Sequence, residues 1–125
     1  MAKILVIEDD PDMSRLMTYK LQMQGHEVAA SDTGVEGLEI VQRDQPDLVL
    51  LDVQLPDVTG LELCRLLRAD PAAKDTVIVM VSASAAENEV DAGLSAGADD
   101  YVTKPFAPSK LVGRIEALLA GRAGH

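Results

Sequence analysis

Four groups that could handle phosphate stand far apart in this chain, each directly after a short apolar run. Ile4-Leu5-Val6-Ile7 leads into Glu8-Asp9-Asp10, and Leu48-Val49-Leu50-Leu51 leads into Asp52. Val77-Ile78-Val79-Met80-Val81 ends on the hydroxyl of Ser82, followed by Ala83, and Tyr101-Val102-Thr103 ends on Lys104-Pro105. Short apolar, β-branched runs bounded by polar turns read as strands buried on both faces. In a parallel sheet, ligands gather outside the carboxyl ends of the strands. One sheet edge then collects several carboxylates, a hydroxyl and an amine, which are the groups that metal-assisted phosphoryl transfer uses.

Taken singly, these residues are ambiguous. Asp52 can be a phosphoryl acceptor, since a carboxylate can form an aspartyl phosphate, but it reads equally as a strand-end acid or a helix cap. Glu8, Asp9 and Asp10 can simply open a helix and complement its dipole. Together with Asp52 they gain meaning, because carboxylates crowded at a buried edge repel one another. Mg²⁺, with its preference for oxygen ligands and retained waters, would relieve that repulsion. Lys104 can pair with a phosphoryl oxygen or be a solvated strand-end lysine. Ser82 can donate to the same group or be a turn serine, and Ala83 leaves room for the approach.

The elements that must position these groups alternate along the chain, which predicts an α/β layer architecture. Pro11 suits a helix's first turn, and Met13, Leu16, Met17 and Leu21 follow at helical spacing up to Gly25. Val28-Ala29-Ala30 is a weak strand. A second helix starts near Ser31-Asp32-Thr33-Gly34, turns Leu38 and Val41 inward, and ends before Pro46. Leu63, Cys64 and Leu67 mark a third helical face, closed by Asp70-Pro71. A short fourth helix is expected over residues 87–96 with Val90 and Leu94 inward, then a strand over residues 100–102. Pro108 opens a final helix carrying Leu111, Ile115, Leu118 and Leu119. Five strands and five helices in alternation, joined by right-handed crossovers, give a parallel sheet with helices on both faces.

The 125 residues suffice for one domain, expected over residues 1–120, with residues 121–125 as a flexible tail or the start of a linker. Apolar residues make up 47% of the chain, which excludes a disordered one. No stretch reaches the roughly 18 apolar residues of a membrane helix, and acids follow the first apolar run too soon for a signal peptide. With one cysteine, Cys64, no intrachain disulfide can form, so a cytoplasmic location and no membrane partner are expected. Cys64 reads as a core thiol, and His26 and His125 as exposed. The formal net charge of −10 opposes contact with nucleic-acid phosphates, so no direct nucleic-acid binding is expected.

The chain resembles a response-regulator receiver domain of two-component signalling. The resemblance runs from Lys3 to about Leu119 and rests on four motifs in order. These are Ile4-Leu5-Val6-Ile7-Glu8-Asp9-Asp10, Leu50-Leu51-Asp52-Val53-Gln54-Leu55-Pro56, Val81-Ser82-Ala83, and Gly97-Ala98-Asp99-Asp100-Tyr101-Val102-Thr103-Lys104-Pro105-Phe106. It implies a flavodoxin-like, doubly wound five-stranded sheet of order 2-1-3-4-5 with five helices on two faces. It implies Asp52 as phosphoacceptor, with Ser82 and Lys104 contacting the phosphoryl group. Metal ligation falls to Asp9, Glu8 (directly or through water), Asp52 and the backbone carbonyl of Gln54, with Asp10 ranked after them; the ion is Mg²⁺, with Mn²⁺ as an alternative. Tyr101, with Ser82, would form the switch. The implied donor is a sensor histidine kinase or histidine phosphotransfer protein, and the implied effector contact is the face of the fourth helix, fifth strand and fifth helix. Glu8 stands where aspartate is common and Ser82 where threonine is, and both keep the needed functional groups.

A receiver of this kind is a signalling domain that catalyses only its own phosphorylation and dephosphorylation. A haloacid-dehalogenase-type enzyme would want an aspartate where Gln54 stands. A flavin carrier would want a hydroxyl-rich phosphate loop in place of Glu8-Asp9-Asp10. The runner-up is a receiver-like interaction module that works without phosphate, against which the set Glu8, Asp9, Asp52, Ser82 and Lys104 argues.

Overall fold

The computed structural model describes residues 2–123. Strands β1 (Lys3–Ile7), β2 (Glu27–Ser31), β3 (Leu48–Asp52), β4 (Val77–Ser82) and β5 (Asp100–Thr103) alternate with helices α1 (Pro11–Met23), α2 (Gly34–Asp44), α3 (Gly60–Ala69), α4 (Glu87–Ser95) and α5 (Pro108–Ala123). The strands form one parallel sheet in the order β2-β1-β3-β4-β5. This is the doubly wound, flavodoxin-like order that the sequence motifs imply.

β3 and β4 are buried along their whole length, as continuous apolar runs require when helices cover both faces. Alternate side chains feed two cores. Leu5, Ile7, Val49, Leu51, Ile78 and Met80 pack toward α2 and α3 with Ile40, Val41, Leu63, Cys64 and Leu67. Ile4, Val6, Leu48, Leu50, Val79 and Val81 face the other way, onto Met17 and Leu21 of α1 and Leu111 and Ile115 of α5. The helix starts are fixed locally: Asp10 caps α1 ahead of Pro11, and the hydroxyls of Thr33 and Thr59 cap α2 and α3.

Three details depart from the sequence-based expectations. α4 does not turn Leu94 inward: Leu94 is 44% exposed, Val90 is half-buried, and Gly93 is the buried residue. The space an apolar side chain would take there is filled by the Tyr101 ring from β5. α2 turns Val41 and the partly buried Leu38 onto the core as expected, and adds Ile40. α5 continues through Gly121 to Ala123, where a tail was expected, because its backbone hydrogen bonds tolerate one glycine near the end. His26 is buried, its Nδ1 accepting from the Ala2 N–H at 3.1 Å and its Nε2 meeting a carboxylate oxygen of Glu116. Gly124 and His125 lie outside the described residues.

Candidate functional site

The register brings the strand ends level. Ile7 lies opposite Leu51, Asp52 opposite Val81, and Ser82 opposite Thr103. The next residues therefore emerge together at one edge. Glu8 N donates to Ser31 O at 3.0 Å, and Lys104 N donates to Ser82 O at 2.7 Å, so both side chains start from fixed backbone.

Glu8, Asp9 and Asp52 each offer a carboxylate oxygen, and these oxygens all lie within 4.8 Å of one another. Glu8 and Asp52 are buried, while Asp9 is exposed at the rim. Lys104 reaches into the group, with its Nζ 2.7 Å from Glu8 Oε1 and 3.5 Å from Asp52 Oδ2. Burial and the neighbouring Asp52 push the Glu8 carboxyl above its ordinary pKa, and Lys104 offsets this only in part. Burial alone would lower the Lys104 pKa, yet the Glu8 and Asp52 carboxylates outweigh it and hold the ammonium charged beyond its ordinary range. The oxygen-only donor set at this edge suits a hard divalent cation such as Mg²⁺.

Asp10 is elsewhere: its Oδ1 accepts from Asp12 N at 3.1 Å as the cap of α1, and it is not in the carboxylate group. Gln54 lies in the loop after β3, its N–H donating to Asp52 Oδ1 at 3.1 Å and its backbone bridging to Thr59. Ser82 is buried at the end of β4, with its Oγ accepting from Ser84 N at 3.2 Å. A cleft of about 590 Å³ beside it is lined by Gln54, Ser82, Ala83, Ser84 and Tyr101 among others. The Tyr101 ring is turned inward and buried, and its hydroxyl donates to Ser84 O at 2.9 Å.

Two supporting residues escape sequence reasoning. Asp57, at the tip of the loop after β3, accepts from Gly34 N at 2.8 Å and Val35 N at 2.9 Å, which ties that loop to the start of α2. These bonds hold its carboxyl below the usual carboxylate range. Gly60, opening α3, sits so close to the end of β3 that a Cβ would lie 2.6 Å from both Asp52 O and Val53 Cα. The Thr59-Gly60 pair ahead of Leu63 was a readable helix start, but the Asp57 partners lie more than twenty residues away, beyond any local signal.

Residues 4–116 match the family model described as the response regulator receiver domain. The DNA-binding response regulator MtrA of Mycolicibacterium smegmatis is 44% identical over 117 residues, covering 94% of this chain and 50% of the relative. The phosphate regulon transcriptional regulatory protein PhoB of Rhizobium meliloti is also 44% identical, over 94% of this chain and 52% of its own length. The chain thus spans about half the length of these curated relatives. Among solved structures, a CheY-like response regulator receiver domain protein from Methanospirillum hungatei superposes with a TM-score of 0.93 at 29% identity, covering 99% of this chain and 98% of the other. The relatives' names overturn the expectation of no nucleic-acid binding, since they are DNA-binding and transcriptional regulators. The net charge was counted over a span equal to only half of such a protein, so it could not speak for the other half. Among the described residues, no helix is long and apolar enough to cross a membrane.

Proposed function

This chain belongs to the response-regulator receiver family, a family of phosphorylation-dependent signalling domains, and from that premise we propose that Asp52 is its phosphoacceptor. The observation that carries the reading is the buried Asp52 beside Glu8 and Asp9, with Lys104 Nζ 3.5 Å from its Oδ2. In the proposed step an Asp52 carboxylate oxygen attacks the phosphorus of a phosphohistidine on a histidine kinase or phosphotransfer protein. The new O–P bond forms as the P–N bond breaks, and the electron pair leaves on the imidazole nitrogen. Water later cleaves the acyl phosphate, returning the Asp52 carboxylate and inorganic phosphate, so the domain catalyses only its own modification.

Glu8, Asp9, Asp52 and the Gln54 backbone carbonyl would hold Mg²⁺ or Mn²⁺, with Asp10 left to its capping role. When bound, the ion supplies positive charge that offsets the phosphoryl oxygens. Lys104 exchanges its contact with Glu8 for a phosphoryl oxygen, and Ser82 donates its hydroxyl to another. Ser82 and Tyr101 relay the change toward α4 and β5. The receiver unit extends through the end of α5 at Ala123, and its output, by analogy with the named relatives, is control of DNA binding by a segment outside that unit. The single buried thiol of Cys64 fits work in the cytoplasm.

Intact mass spectrometry with acetyl phosphate tests the proposal. One phosphoryl group is expected on the wild type with Mg²⁺, and none in EDTA or on Asp52→Asn. Equal labelling of Asp52→Asn would overturn the assignment.

A further inference from the structure

We infer that Gly93 is a positioning residue that holds open a slot on α4 for the inward Tyr101 ring, and so sets the balance of the switch. The inference rests on the proposed reading of Tyr101 as the relay and adds what controls its ring.

Gly93 is buried where α4 crosses β5. Its φ lies outside the left-handed region, so the backbone does not demand glycine there. Glycine also weakens a helix interior relative to alanine. What the position does require is space. A Cβ at Gly93 would lie 3.0 Å from Tyr101 Cδ2, 3.3 Å from Cε2 and 3.0 Å from Met80 Sδ. Met80 is fully buried, while Tyr101 in the same core cluster keeps 9% of its surface exposed, so the Met80 side of the slot is the more tightly enclosed. The ring, by contrast, borders an open cleft and is held inward at its far end by one hydrogen bond to Ser84 O. A methyl group on α4 therefore displaces the ring before it displaces the core. Gly93→Ala shifts the population toward the ring-out state without touching Glu8, Asp9, Asp52 or Lys104.

The chain has two tyrosines, Tyr19 and Tyr101, so in a Tyr19→Phe background the nitration rate by tetranitromethane reports Tyr101 alone. Gly93→Ala should raise that rate about ten-fold, at the low end of what overpacking by one methyl costs. Gly93→Ser, which adds the same Cβ, should do likewise. Leu94→Ala on the exposed face should leave the rate unchanged. Mg²⁺-dependent labelling of Asp52 by acetyl phosphate should persist in all of them, which shows that the acidic site is intact. The inference is overturned if Tyr101 stays as protected in folded Gly93→Ala and Gly93→Ser as in the parent, because α4 or Met80 has then yielded instead. Amide NMR shifts at α4 and β5 on adding Mg²⁺ with beryllofluoride separate the underlying reading. A freed ring with an unaltered shift response supports the slot and overturns Tyr101 as the relay.

Discussion

Lys104 is an internal counter-ion for Glu8 and Asp52, and Lys104→Met is the perturbation that exposes this. At an effective dielectric near 20, the separations of 2.7 Å to Glu8 and 3.5 Å to Asp52 correspond to about 6 and about 5 kcal/mol of attraction. Desolvation of the three groups takes back most of it, and the Lys104 side chain keeps 23% of its surface in solvent. What Lys104→Met forfeits is about 2–3 kcal/mol, because it leaves two buried carboxylates without a cation. For a domain of 125 residues this lowers Tm by about 10 °C. The pH window follows from the two shifts. The folded pKa of Lys104 is raised, so its contribution is complete below 10.5 and is lost as pH rises through the folded value. The folded pKa of Glu8 is also raised above 4.5, so its protonation favours the folded state, and the charge it carries at neutral pH costs stability. The deficit of Lys104→Met is therefore largest between these limits and shrinks on the acid side as Glu8 is neutralised. Mg²⁺ bound at the proposed site would supply the missing charge, so the Tm gap should fall by about half or more when EDTA is replaced by saturating Mg²⁺. Thermal melts of both proteins at about pH 4 and pH 8, with and without Mg²⁺, make the comparison. A gap of the same size under all four conditions would refute the counter-ion role.

Asp52→Asn removes one of the clustered charges and should raise metal-free Tm by about 4 °C, equivalent to about 1 kcal/mol, while abolishing most Mg²⁺ stabilisation; melts at matched salt decide it. Asp57→Ala should lower Tm at neutral pH by releasing the Gly34 and Val35 N–H groups. Because the folded pKa of Asp57 is depressed, its contribution is present above 3.8 and fades as pH falls through the folded value, so the two melting curves should converge in acid. Gly60→Ala drives a methyl to 2.6 Å from backbone atoms of Asp52 and Val53, which cannot rotate away; denaturant titration should show a loss of about 3 kcal/mol and mass spectrometry slower labelling of Asp52.

Much of this was legible in the chain, for identifiable reasons. Strands buried on both faces leave uninterrupted apolar runs, so β1, β3 and β4 announce themselves. The polar residue ending each run is then located by topology alone, which is why Glu8, Asp9, Asp52, Ser82 and Lys104 can be gathered at one edge from the sequence. What failed depended on partners distant in sequence. Leu94 matched the helical period with Val90, but α4 meets β5 through a glycine because an aromatic ring from another element fills the gap. His26 looked like a surface histidine, and only the folded chain brings Ala2 and Glu116 to its two nitrogens. Asp57 carried no mark of its bonds to α2. The charge argument about nucleic acid failed differently: the net charge of −10 is counted over a span equal to about half of the named relatives, so it says nothing of the rest of such proteins.

The level strand ends carry a consequence for how the protein comes into being on the ribosome. Glu8, Asp9 and Asp52 are made early, whereas Lys104 follows β5, the last strand synthesised and the outermost on its side of the sheet. A chain made only through β4 already contains Glu8, Asp9 and Asp52 but not the lysine that pairs with two of them. Its reactive edge is thus electrostatically self-opposed until β5 pairs with β4 and delivers Lys104 beside Ser82. Charge balance at this edge therefore depends on the last strand to be made, and it is reached only when β5 has paired with β4.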